Sequence, residues 1–192
     1  MNPLDVRFKC TMCGACCKHT SLVVTLTGRD IVRIARAIEF DSSQILKIID
    51  FYLPKKRDAL PQGLKHIPRV LTEKGPAIIA LKKRESGACV FLTADNLCAI
   101  HQFRPGACAS FPFVFKESNG DIMWGFSAMK EICPGIGDGP KISEPELHDI
   151  ARDVLEDLQI YGDFTSDWNS LDSEHDVNML LESILSDIRF NV

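Results

Sequence analysis

A chain of 192 residues, 45% apolar and 25% charged, is long enough for one domain with a real core, or one domain plus a helical appendage. Its formal net charge of −4 gives no reason to expect nucleic acid or an anionic membrane as partner. No apolar run reaches the roughly 18 residues of a spanning helix, and the first residues lack the basic start and apolar stretch of a secretory signal, so the expectation is a cytoplasmic protein whose thiols stay reduced.

Along the chain, Cys10-Thr-Met-Cys13-Gly-Ala-Cys16-Cys17 comes first, four thiols in eight residues. Ser21 to Leu26 is short and β-branched and predicts a strand. Thr27-Gly-Arg-Asp30 predicts a capped helix start, followed by Ile31, Ile34, Ala35 and Ile38 at helical spacing. Asp41, Ser42 and Ser43 predict a second helix carrying Ile45, Leu46, Ile48 and Ile49 and ending before Pro54. Lys55 to Lys65 reads as a polar connection with a solvated charge run. Pro68 to Leu71, Ala77 to Leu81 and Ala88 to Leu92 read as extended, and Ala94-Asp95-Asn96 as a turn. Ser118-Asn-Gly-Asp121 between Phe113–Lys116 and Ile122–Phe126 predicts a hairpin. Gly135 to Pro140 reads as a loop. Ser143-Glu-Pro-Glu146 opens a helix with a capping box and an early proline, carrying Leu147, Ile150, Ala151, Val154, Leu155 and Leu158. A last helix from about Ser173 carries Val177, Leu180, Leu181, Ile184, Leu185 and Ile188 on one side.

The chemistry rests on eight cysteines: Cys10, Cys13, Cys16, Cys17, Cys89, Cys98, Cys108 and Cys133. They suffice for two four-thiolate sites, or for one cluster with spare thiols, and all eight are candidate metal ligands. A disulfide framework fits poorly, because the chain is too long to need stapling and a bridge between neighbours Cys16 and Cys17 is strained. In a helix, residues 10, 13 and 17 share a face and Cys16 points elsewhere. Gly14 permits a turn in which three or four sulfurs converge and amide N–H groups approach them. Cys98-Ala-Ile-His101-Gln-Phe-Arg104-Pro105-Gly-Ala-Cys108 forms the second group. There Arg104 is a candidate to offset thiolate charge, and Cys133-Pro134 repeats a pairing found at the last ligand of bacterial iron–sulfur runs. His19 is a further candidate ligand or hydrogen-bond donor, whereas His148 and His175 read as surface residues. Gly135-Ile-Gly137-Asp-Gly139 lacks the strand-to-helix setting of a phosphate loop.

Taken together, Cys10-x2-Cys13-x2-Cys16-Cys17, the strand with its Thr27-Gly-x-Asp30 helix, and Cys98…Arg104-Pro105-x2-Cys108-x2-Phe111-Pro112 resemble the YkgJ-type cysteine-cluster family. The likeness covers roughly residues 7 to 137. It implies a domain that chelates zinc or iron. His101 departs from the family pattern, which has Tyr there, so the resemblance does not carry a ligand role to it. Some members of the family are flagellin lysine methylases. Those are longer, and no methyl-donor site is visible in this sequence.

The expectation is therefore an α+β fold: a small, irregular, metal-organised domain over residues 1–140, with short strands and N-terminal helices, and a helical extension over 141–192 packed on it. Its expected role is to hold an iron–sulfur cluster, [4Fe–4S] in type, or zinc, with a redox or cluster-carrying function. The alternatives are a structural zinc module and a protein-modifying enzyme. No nucleic-acid or membrane partner is expected. Cys98 or Cys108 is expected to complete the N-terminal site, and Leu180, Leu181, Ile184 and Leu185 to be mostly buried.

Overall fold

The structure, a computed structural model, describes residues 6–53, 64, 66–172 and 174–191. The connection over 55–65, apart from Leu64, therefore lies outside the described residues, as do Pro54 and Ser173. The central helix is fixed by its first three residues. Thr27 Oγ1 accepts the Asp30 N–H at 3.3 Å, and Asp30 Oδ2 accepts the Thr27 N–H at 3.1 Å. This reciprocal cap satisfies two amides that a helix start leaves unpaired. It opens α2 (Gly28–Ala37), which follows β1 (Arg7–Phe8) and the one-turn α1 (Ala15–Lys18). Ile31, Val32, Ile34 and Ala35 of α2 are buried.

Asp41 caps α3 (Ser42–Ile45) in the same way, through Gln44. The helix expected to run on through Ile49 stops there. Ile49–Tyr52 is β2, antiparallel to β4 (Gly75–Leu81), with Ile49 opposite Leu81 and Tyr52 opposite Ile78. Ile45, Leu46, Ile48 and Ile49 keep the helical period, and the hydrogen-bonding edge of β4 overrides it. β3 (Val70–Thr72) pairs with the start of β4, giving the order β2-β4-β3. The strand expected over Ser21–Leu26 is reduced to a bridge. Thr25 faces Ala80, Leu26 donates to the Ile79 carbonyl at 2.9 Å, and Val24 accepts from Leu81 at 2.8 Å. Ala88–Leu92 is likewise no strand but a series of turns, touching its neighbours only where Cys89 faces Lys83 and Leu92 faces Cys98.

After α4 (Gly106–Ser110), the hairpin β5 (Phe113–Ser118) and β6 (Asp121–Phe126) forms as expected. Asn119 and Gly120 both have positive φ, 55° and 83°, the turn geometry that matches strand twist. Of Gly135 to Pro140, expected as a loop, residues 136 to 140 belong to β7 (Ile136–Lys141), which pairs with β1. Its glycines and proline carry no strand propensity, so the pairing comes from Arg7–Phe8 lying alongside.

Ser143 caps α5 (Glu144–Asn169) through Glu146, with proline in the first turn. α5 buries Leu147 and Ala151 near its start and Tyr161, Phe164 and Trp168 farther on. α6 (Val177–Ser186), capped by Asp176, has Leu180, Leu181 and Ile184 fully buried, while Leu185 is half-buried. Ile188 departs from expectation: it is 84% exposed. The chain leaves the helix at Asp187 and enters a 3-10 turn, which buries Phe190 instead. The main core joins α2, α3, the sheet, α5 and α6 through Ile31, Ile34, Ile45, Ile79, Tyr161 and Leu181. At Gly28 the aromatic ring of Phe190 comes so close that an added Cβ would lie 2.3 Å from it. The fold is α+β. Among the described residues no helix is long and apolar enough to cross a membrane.

Candidate metal centre

The N-terminal cysteines are placed by a turn that only glycine allows. Gly14 has φ 69° and heads α1, with its carbonyl accepting the Lys18 N–H at 3.0 Å. A Cβ at this position would lie 2.7 Å from the carbonyl oxygen of Asn96. Gly14 thus lets the Cys10–Cys17 segment rest directly on the turn that precedes Cys98. On the other side of α1, Cys17 accepts the Cys89 N–H at 2.8 Å, so the early and late cysteines meet through main chain. Cys98 follows, bridged to Leu92, which in turn donates to the Cys89 carbonyl at 3.1 Å. Cys108 sits in α4, whose first amide, Gly106 N–H, donates to Asp30 Oδ1 at 2.9 Å. Cys133 lies in a turn held against Lys9 by the Lys9 N–H to Gly135 carbonyl bond of 3.3 Å.

All eight thiols are free. Cys10, Cys13 and Cys16 are exposed; Cys17, Cys98, Cys108 and Cys133 are half-buried; Cys89 is buried. The thiols of Cys16 and Cys17 touch. The Cys17 S–H donates to Cys16 and pulls its pKa down to about 6 against the opposing effect of burial. Donating to Cys16, then burial, then the nearby charges of Cys16, Cys89 and Cys108 raise Cys17. The Thr11 hydroxyl and the Ala15 amide lower Cys13. Burial comes first in raising Cys89, Cys108 and Cys133. Each also feels other thiols: Cys89 feels Cys98, Cys108 feels Cys89, Cys16 and Cys98, and Cys133 feels Cys16, Cys10 and Cys13.

The structure places Arg104 on His101. Its guanidinium donates to the His101 carbonyl at 3.1 Å and lies 3.1 and 3.3 Å from the two ring nitrogens. Cations beside thiols include Lys83, next to Cys89 and Cys17, and Arg84, next to Cys89. Lys83 also donates to the His19 and Thr20 carbonyls at 2.5 and 2.9 Å, which ties it to the end of α1. Sequence reading missed Lys83; the Lys82-Lys83-Arg84 run ahead of Cys89 was the available signal. His19 Nδ1 lies 3.0 Å from Ser21 Oγ. His148 stands 4.0 Å from the Glu144 carboxylate, and the half-buried His175 sits edge-on to Trp168.

Among the described residues no three Cys, His, Asp or Glu side chains stand in a ready ligand arrangement. The donor set nevertheless suits zinc or iron: it is all soft sulfur, gathered on one side of the domain, with two cations to offset thiolate charge. Closing such a site requires thiol side chains to turn toward the metal, and metal binding would then release their protons. No curated protein and no solved structure matches the chain. The family described as "CxxCxxCC: Putative zinc- or iron-chelating domain" matches residues 9–134, a span that holds all eight cysteines. With about two thirds of its length matched and the thiols so gathered, the chain belongs to the CxxCxxCC family.

Proposed function

We propose that this protein carries an iron–sulfur cluster through its clustered thiolates and serves in redox or cluster transfer in a reducing compartment such as the cytoplasm. One observation carries the reading: the apolar core is built almost wholly by other residues, with Cys17 and Cys98 only packed against its edge. Of the eight, only Cys89 counts among its buried residues. Three others stand exposed. A metal needed only to hold loops would sit where apolar packing fails, in a closed site. Thiols at the surface of a domain with its own core are better suited to a centre that meets a partner. When bound, a cluster supplies one-electron redox chemistry. The chain supplies thiolates, Lys83 and Arg84 as nearby positive charge, and N–H groups around Gly14. In this reading residues 141–192 add packing rather than chemistry.

A second reading is structural zinc. It is favoured by Cys89, Cys98 and Cys108, which lie in turns and one short helix that a closed four-thiolate site would knit together. An enzymatic role gains no support from the cavity of about 560 Å³ between α2 and α5. That cavity is lined by Arg29, Arg33, Arg36, Asp153, Glu156 and Asp157, together with apolar residues, and no cysteine reaches it. Anaerobic purification followed by metal and acid-labile sulfide analysis separates the readings. Iron with sulfide and a brown colour is expected. Colourless protein with stoichiometric zinc would establish the second reading, and protein with neither metal after reconstitution would refute both.

A further inference from the structure

We infer that Lys83 is a positioning residue of the thiol site: its ammonium group clamps the chain at the end of α1 and so holds Cys17 against Cys89. This rests on the thiolate reading above, but the clamp belongs to the metal-free chain and is tested there first.

α1 is four residues long, and His19 caps its C-terminal end. A helix of one turn does not hold itself, because nucleation is unfavourable and only longer helices recover it. The carbonyls at its end need donors from outside. Lys83 supplies them from 64 and 63 positions away: its Nζ donates to the His19 carbonyl at 2.5 Å and to the Thr20 carbonyl at 2.9 Å. Hydrogen bonds from a charged donor are stronger than neutral ones.

The clamp is anchored in the sheet. Lys82 follows directly on β4, and its N–H donates to the Ile48 carbonyl at 2.8 Å. Residues 82 to 90 then fold back on themselves. The Val90 N–H donates to the Lys82 carbonyl at 3.1 Å, Lys83 faces Cys89 in an antiparallel bridge, and the Arg84 N–H donates to the Ala88 carbonyl at 2.8 Å. This loop meets the end of α1 at two further points. The Cys89 N–H donates to the Cys17 carbonyl at 2.8 Å, and a Cβ on Gly87 would lie 2.5 Å from Thr20 Cγ2. Main chain therefore seats the loop at residues 17 and 20, and the Lys83 side chain grips the carbonyls of 19 and 20 between and beside them. Residues opposite one another in an antiparallel pair have neighbouring side chains, so the same cation lies beside Cys89. Thiols held in place before the metal arrives spare the cost of ordering them on binding, and a fixed positive charge offsets the repulsion between two thiolates.

Amide hydrogen exchange in the reduced, metal-free full chain reads the clamp at the Cys89 N–H. In Lys83→Met, which keeps an apolar stem and removes the donors, this amide should exchange about tenfold faster than in wild type, as expected when a charge-assisted bond that holds a local closed form is lost. The Lys9 amide, bonded to Gly135 across β1 and β7, should keep its wild-type rate. Lys83→Arg should return the Cys89 amide to near its wild-type rate. Circular dichroism checks that each variant is folded, and Lys83→Gln gives the same comparison if Lys83→Met is not. Cobalt(II), added anaerobically to the same proteins, should bind more weakly to Lys83→Met and recover in Lys83→Arg. An unchanged Cys89 amide in folded Lys83→Met, equal acceleration at Cys89 and Lys9, or no rescue by arginine would overturn the clamp. Faster exchange with undiminished cobalt affinity would overturn its role in the thiol site. Exchange as expected in a wild-type chain that takes up no cobalt would overturn the thiolate reading and leave the clamp standing.

Discussion

Around α2, α3 and α6 the chain buries Ile31, Ile34, Ile45, Leu180, Leu181 and Ile184 almost completely. From Cys10 to Lys18, by contrast, no residue is buried. The first region is held by area removed from water, at about 25 cal/mol per Å². The second is held by a few main-chain bonds and by two glycines, Gly14 and Gly135, whose missing Cβ lets strands of chain touch. The difference predicts which side depends on metal. The apolar side should melt alike with or without it, whereas the cysteine side should gain order on binding.

The sharpest way to break the comparison is to damage the apolar side alone. Leu181→Ala should cost about 2–5 kcal/mol, read by denaturant unfolding, in metal-free and metal-loaded protein alike. A loss that appeared only in loaded protein would mean that the two sides are not separate. Next in size is Gly28→Ala. The new methyl meets the Phe190 ring, and overpacking of this kind costs about 1–3 kcal/mol. Phe190→Leu in the same chain should restore part of the loss.

A smaller effect concerns acid. Arg189 hydrogen-bonds the Asp187 carboxylate and holds its pKa below the ordinary value. A depressed carboxylate contributes stability above its unfolded pKa of about 3.9 and loses it as pH falls through the folded value. Thermal midpoints of wild type and Asp187→Asn should therefore differ at neutral pH, by the equivalent of no more than about 1 kcal/mol for a partly exposed pair, and converge in acid. Equal midpoints at neutral pH would show that the pair adds nothing. The smallest effect is expected in metal-free Cys13→Ser. With an exposed side chain, it should stay within about 0.5 kcal/mol of metal-free wild type. Once metal is added, the same substitution should lower metal content and solubility together.

The parts legible in the sequence were those settled by a few neighbouring residues. The boxes at Thr27–Asp30 and Ser143–Glu146, the Asn119-Gly120 turn and the spacing of Leu180, Leu181 and Ile184 each act locally. What misled were segments whose state is decided elsewhere. Ile49–Tyr52 became a strand because β4 offered an edge, and Ile136–Lys141 because β1 lay beside it. Ile188 carried the helical period but fell beyond the last turn, where Asp187 turns the chain. The cysteine motif was plain from its spacing. Which late cysteine accompanies which early one was not, since Cys17 meets Cys89 across 72 positions through one main-chain bond. Arg104 stands out from its place between Cys98 and Cys108, and its Nη1 contacts His101.

Asp30 belongs to both regions at once. Its Oδ2 closes the cap of α2, while its Oδ1 receives the Gly106 N–H and the Arg33 guanidinium. The cap joins residues three positions apart, but Gly106 is 76 positions away. The order of events in folding follows from this difference in loop closure. The helix should therefore take shape first, and the Asp30 oxygen should receive the segment carrying Cys108 afterwards. The protein would in this way offer the metal a thiol already brought to its place, so that loading is a last step on a finished body. The exchange rate of the Gly106 amide proton follows that docking directly.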